Sequence, residues 1–306
     1  MMTTMLVPLD GSATAAQILP YVRVLARAMQ ASIQLVSVVT HADQYHVALN
    51  RGAWEEMSRD RSTRDPETID ALNDLRNHTL AYLEGQADIL RAEGFSVGMD
   101  VLEGHAAEAI VAAAAEADLI AMATHGYSGV RRWAVGSVTD RVLHTSPVPV
   151  FVARALPAHD YAIRRILVPL DGSSLARRAL VPAVELARTI GAALELLTVV
   201  PPPISGIELA ITPIVLTSDD VVAMRDRLMG ELIEVAGFNH GLAVDLRIVQ
   251  GFVAEEISDE AERREVDLIV MASHGYGGWR RLALGSVADK VLHATKTPLL
   301  IVHVSE

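Results

Sequence analysis

The chain writes one pattern twice. LVPLDGS at 6–12 returns at 167–173, and DLIAMATHG at 118–126 returns as DLIVMASHG at 267–275. THGYSGVRRWAVGSVTDRVLH at 124–144 returns as SHGYGGWRRLALGSVADKVLH at 273–293. So long a period exceeds the roughly 20–50 residues of a solenoid unit and marks a duplicated domain. The 306-residue length agrees, because a single core stops growing near about 250–300 residues. The expected halves are 1–155 and 163–306, joined through LPAHDYA between Ala155 and Ala162.

Each half alternates apolar runs with helical patterns. In the first, 4–9, 32–39, 95–102, 118–123 and 148–153 read as strands, with helices over 13–30, 67–93, 105–116 and 137–145. The run MLVPL suits a strand buried on both faces, and Ile18, Leu19, Val22 and Leu25 line one side of the first helix. The second half repeats the order, with strands near 165–170, 193–200, 243–249, 267–272 and 298–304. Such alternation implies right-handed crossovers and a parallel sheet covered on both faces. The expected class is α/β: two repeated doubly wound domains, each a five-stranded parallel sheet flanked by helices. The halves diverge most after the second strand, where 40–66 is polar and 201–217 is apolar and proline-punctuated. Two readings stand for these segments: a loop packed on its own domain, or a lid or oligomer contact made by one half.

Composition removes whole classes. Acidic residues outnumber basic ones 38 to 26, and the net charge of -12 has the wrong sign for a general nucleic-acid binder. A 51% hydrophobic content is too high for a disordered chain. With no cysteine, disulfide and thiolate chemistry drop out, in keeping with an expected cytoplasmic location. The start MMTTMLVPLDGS lacks a basic region ahead of its apolar run and makes a poor signal peptide. Charges and prolines interrupt the apolar stretches 109–123 and 196–217, so no membrane span is expected. GxxxxGK[ST], a GxGxxG after the first strand and HExxH are all missing, which argues against P-loop enzymes, Rossmann dinucleotide enzymes and zincins.

An open parallel sheet binds ligands beyond the carboxyl ends of its strands, where strand order reverses. Asp10 and Asp171 end the first strand of each half, each followed by Gly-Ser. A carboxylate there can accept from an adenine amine or a ribose hydroxyl, or hold a metal-bound water. Asp-Gly-Ser is equally a plain turn and helix N-cap. After the fourth strand come Ala123-Thr124-His125-Gly126, nine residues, then Gly136-Ser137; the copy is Ala272-Ser273-His274-Gly275, nine residues, then Gly285-Ser286. Glycines let the backbone approach phosphate oxygens, and the helix beginning at Gly-Ser turns its positive end to an anion. Ser137-Val-Thr-Asp140 and Ser286-Val-Ala-Asp289 also have the form of capping boxes. Arg131-Arg132 and Arg280-Arg281, inside the spacer, are either phosphate clamps or solvated surface.

These motifs together closely resemble the universal stress protein family, over nearly the whole chain and twice over. The resemblance implies an adenine nucleotide alpha hydrolase-like fold and an adenine-nucleotide site built on Gly-x2-Gly-x9-Gly-[Ser/Thr]. Carried onto this sequence, it places the adenine near Pro8, Asp10 and the backbone of Val38. Ribose and phosphates fall near Ala123, His125, Gly126, Gly136, Ser137 and Val138. The second site uses Pro169, Asp171, Val199, Ala272, His274, Gly275, Gly285, Ser286 and Val287. The implied ligand is ATP, with or without Mg2+, and no metal ligands are assigned. This chain departs from the pattern where the family's first glycine is Ala123 and Ala272. The resemblance also implies that 148–154 and 298–304 pair within the chain as an internal pseudo-dimer, with a homodimer as a further assembly. The function implied is a non-enzymatic ATP-binding stress-response or signalling protein whose nucleotide occupancy alters its interaction with a protein partner. A slow ATP hydrolase and a nucleotide-free scaffold are the alternatives. The former lacks an evident base, since the repeated carboxylates near the site are Asp10/Asp171 and the capping Asp140/Asp289.

Overall fold

A computed structural model describes residues 3–39, 66–124, 135–154, 161–202, 219–220, 222–224, 226–227, 229–230, 241–273 and 284–303. The chain divides into two compact units. Unit 1 is Met1–Ala123 with Gly136–Val142 and Ser146–Val148; unit 2 is Thr124–Val135, Leu143–Thr145 and Pro149–Glu306.

In unit 1, strands β1 (Thr4–Pro8), β2 (Ser32–Val39), β3 (Val97–Glu103) and β4 (Leu119–Thr124) are parallel in the order β3-β2-β1-β4. Helices α1 (Ala13–Ala16) and α2 (Leu19–Met29) follow β1, α3 (Pro66–Ala92) follows β2, and α4 (Ala106–Ala113) follows β3. The helix expected over 13–30 is broken at Gln17-Ile18, because Pro20 stands in the first turn of α2, where its missing N–H costs no helical bond. Met5, Leu6 and Val7 of β1 are buried, as a strand covered on both faces requires. Leu83, Ala87 and Leu90 put one face of α3 onto this core. The Asp118 carboxylate accepts the Thr4 N–H at 2.8 Å while the Asp118 N–H donates to the Thr4 carbonyl, which fixes the entry of β4 against β1.

In unit 2, β6 (Arg165–Pro169), β7 (Ala193–Val200), β8 (Val244–Gln250), β9 (Leu268–Ala272) and β10 (Leu299–Val302) form the corresponding sheet, in the order β10-β9-β6-β7-β8. Helix α5 (Ser137–Thr145) follows β4 and has Ser137–Val142 in unit 1; α6 (Ser174–Arg177), α7 (Leu180–Ile190), α8 (Val253–Arg263) and α9 (Ser286–Ala294) belong to the second repeat. The expected pairing of the two closing strands is present. β5 (Val150–Arg154) runs antiparallel to β10, with Leu299 opposite Val152, Leu300 opposite Phe151 and Ile301 opposite Val150. The repeat assigns β5 to the first half, whereas it packs in the second unit. Arg154 reinforces this by donating to the carbonyls of Leu292 and His293 at 3.0 and 2.8 Å, at the C-terminal end of α9.

Among the described residues, unit 2 also buries charge that unit 1 does not. Glu195 on β7 stands in register with Asp245 on β8, and Arg264 reaches both, at 3.2 and 2.7 Å. Buried Glu260 pairs with Arg263 and lies 3.2 Å from the Arg247 Nε. The corresponding β2 and β3 positions in unit 1 are Gln34 and Gly98. Among the described residues, no helix is long and apolar enough to cross a membrane.

Candidate functional site

Strand order reverses between β1 and β4 in unit 1 and between β6 and β9 in unit 2, so each unit has one switch point at its carboxyl rim. Two features follow, in chain order, the strands that flank each.

One is the turn after β1. Pro8 ends the strand, and Leu9 extends the ladder by donating to the Val36 carbonyl at 2.8 Å. Asp10 is exposed, and its Oδ1 accepts the Ser12 N–H at 2.9 Å; Ser12 Oγ in turn accepts the Ala15 N–H at 3.0 Å and caps α1. The intervening Gly11 has φ of 82° and Gly172 of 79°, a left-handed conformation that explains the glycine in both copies. Asp171, Ser173 and Ala176 repeat the same bonds at 2.9 and 3.0 Å. The turn-and-cap reading of Asp-Gly-Ser is therefore realised, and it uses one carboxylate oxygen. In unit 1, Asp10 Oδ2 bonds to none of the described residues.

The other feature is the start of the helix after β4 and β9. Here the expectation of a serine capping box needs correction. The N-cap residues are Gly136 and Gly285, which have no side chain to make a capping bond. Ser137 and Ser286 lie one residue inside and are exposed, so their backbone N–H groups face outward with the positive end of the helix. In unit 2 this start is tied to the strand end, since the Gly285 N–H donates to the Ser273 carbonyl at 2.7 Å. Val138 and Val287 are half-buried behind the serines.

Ala123 and Ala272 lie within β4 and β9. Their strand conformation accommodates a Cβ, so the exchange of glycine for alanine carries no backbone strain. Val38 and Val199 are half-buried near the ends of β2 and β7, beside the Asp-Gly-Ser turns. His125, Gly126, His274, Gly275 and the two arginine pairs lie outside the described residues, as do most of 40–66 and 201–217.

Tyr82 of α3 is a residue that the motifs do not single out. Burial raises its phenol above the ordinary tyrosine range, and the negative charge of Asp10 raises it further. Its hydroxyl is buried without a hydrogen-bond partner. A lone tyrosine on an amphipathic helix gives no sequence signal of this.

Against this geometry, the pattern of the Universal stress protein family matches residues 1–154 and again 162–303. The chain belongs to the universal stress protein family. A universal stress protein of Mycolicibacterium smegmatis is 27% identical over 223 residues, covering 71% of this chain and 72% of that protein. The stress response protein NhaX of Bacillus subtilis is 30% identical over 160 residues, covering 45% of this chain and 96% of its own length. A crystal structure of a universal stress protein from Archaeoglobus fulgidus superposes with a TM-score of 0.72 at 21% identity, covering 98% of both chains. That likeness concerns the fold, which is the doubly wound, adenine nucleotide alpha hydrolase-like arrangement in tandem. The two universal stress protein repeats here carry the same Asp-Gly-Ser turn and the same Gly-Ser helix start.

Proposed function

We propose that each repeat, 1–155 and 163–306, holds one adenine nucleotide at its switch point, and that occupancy changes which protein partner the chain engages. One observation supports this reading: in each unit an Asp-Gly-Ser turn follows one of the two strands that flank the switch point, and a helix with a glycine N-cap follows the other. The two features suit opposite ends of a nucleotide. The N–H groups following Gly136 and Gly285 suit phosphate oxygens, with Ser137 and Ser286 adding a hydroxyl each. Asp10 and Asp171 suit the base or ribose, with Pro8, Val38 and Ala123, or Pro169, Val199 and Ala272, supplying apolar contact. His125, Gly126, His274 and Gly275 complete the two sets by their place in the motif. ATP is the nucleotide proposed, and Mg2+ accompanies it as a counter-ion to the phosphates. The chain's own groups bind and orient, so the reading is of a nucleotide-responsive stress protein acting without catalysis.

Denaturing the purified chain and weighing the released small molecules tests this directly. ATP, ADP or AMP is expected, along with a higher melting temperature when millimolar ATP is added, since a ligand that binds the native state alone stabilises it. Release of no adenylate together with an unmoved melting temperature would overturn the reading.

A further inference from the structure

The sequence repeats Asp-x3-His at 140–144 and 289–293, and the adenylate reading uses none of these side chains. With glycine as the N-cap, Asp140 and Asp289 fall at the fourth helical position, where each N–H donates to the cap carbonyl at 2.9 Å. A capping box sets its carboxylate one position earlier, so neither aspartate serves as one. The spacing of four puts carboxylate and imidazole on the same face of the helix, one turn apart. In α9 the His293 Nδ1 lies 3.4 Å from Asp289 Oδ1 and donates to the Asp289 carbonyl oxygen at 2.8 Å. The last turn of α5, with His144, lies in unit 2 together with α9. His303, just past β10, donates from Nε2 to the Leu143 carbonyl at 2.7 Å, and Arg154 of β5 holds the end of α9 in the same way. Because β5 and β10 are paired, one ladder fixes both helix ends. Half-buried donor atoms of His144, of Asp140 one turn before it on α5, and of Asp289 on α9 all lie within 4.8 Å of one another.

We propose that His144, Asp140 and Asp289 bind one divalent first-row transition-metal ion, for which Zn2+ is the probe. Donors that share an ion through bonds of about 2.0–2.2 Å stand roughly 3–4 Å apart, so small side-chain rotations close the observed spacing. Two carboxylates neutralise the ion, and an imidazole among them favours Zn2+ and its neighbours over Mg2+ and Ca2+, which take oxygen ligands. The half-buried position admits the ion and lets water complete its coordination. His293 acts as a positioning residue, its ring anchored to the turn that carries Asp289. A first-turn aspartate also suits the helix dipole, but that role asks for no imidazole beside it.

Equilibrium dialysis of the full, untagged chain, stripped of nucleotide and of metal, tests this with Zn2+ alone. One equivalent is expected to bind with saturation and to raise the melting temperature, since the native state alone brings the donors together. His144→Gln and Asp289→Asn should each weaken binding at least about tenfold. His78→Ala should leave it unchanged, because that ring is anchored alike, to the Asp74 carbonyl of α3, but lies outside the cluster. Should a variant not fold, Co2+ titrated into the unsubstituted chain decides: a visible absorption band that grows to one equivalent and is displaced by Zn2+ is expected. No saturable Zn2+ uptake, uptake that both variants leave unchanged, or a Co2+ spectrum that stays that of the aqueous ion overturns the site. Uptake that requires added ATP overturns it too, because that ion belongs to the nucleotide.

Discussion

Gly285 donates its backbone N–H to the carbonyl oxygen of Ser273 across 2.7 Å, so the two ends of the segment joining β9 to α9 meet. The start of α9 is thereby held at the tip of the strand whose other neighbour ends in the Asp171 turn.

Gly136→Asp and Gly285→Asp separate binding from stability. Both glycines have φ near that of any residue, -60° and -64°, and aspartate is a good N-cap, so the helices tolerate the change. The added carboxylate stands where phosphate would sit. Each single variant is expected to lose one of two binding equivalents in titration with ATP, and the double variant both, with melting temperatures at or slightly above the parent's.

Phe151 tests the closing strands. It is fully buried on β5, opposite Leu300. Phe151→Ala should cost about 3–5 kcal/mol in urea unfolding, the usual range for emptying an aromatic site in a core.

The charge cluster of unit 2 gives an asymmetric expectation. Arg264→Ala leaves the buried Glu195 without its guanidinium and should destabilise by about 3 kcal/mol. Replacing both partners, Glu195→Leu with Arg264→Met, should recover most of that loss, because burying an ion pair gains little over packing apolar groups. Chemical denaturation of the three proteins decides between the outcomes.

Among the described residues, Glu93 is an assignable source of acid sensitivity. The Arg23 Nε bonds both oxygens of Glu93, at 2.9 and 2.8 Å, and lowers its pKa against the opposing effect of desolvation; the charges of Arg23 and Arg27 add to the lowering. A depressed carboxylate stabilises the fold above its unfolded pKa and loses that contribution as pH falls through the folded value. Arg23→Ala should therefore lower the melting temperature at neutral pH. The gap to the parent should hold down to about pH 5 and close by about pH 2–3.

Local chemistry made the site half legible in sequence. The Asp-Gly-Ser turns could be read because an aspartate, a positive-φ glycine and a capping serine act over a few residues. The serine after Gly136 misled, since a capping box and a first-turn serine differ by one position and only the backbone tells which residue is the cap. The break at Gln17 was hidden by apolar spacing that runs smoothly into α2 past Pro20. The shift of Tyr82 could not be seen at all. It depends on burial and on the charge of Asp10, far away in sequence, which no pattern of residue types records.

The allegiance of β5 bears on how this chain can be divided. The two family matches, 1–154 and 162–303, put the seam of the repeat between them, yet the ladder from Val150 to Val152 is filled by Ile301 to Leu299. A fragment cut at that seam would take β10 without its antiparallel neighbour, exposing a row of unmet amide and carbonyl groups on an apolar strand. Such a piece would satisfy that edge with another copy of itself, whereas in the intact chain the covalent tether supplies the partner at every concentration.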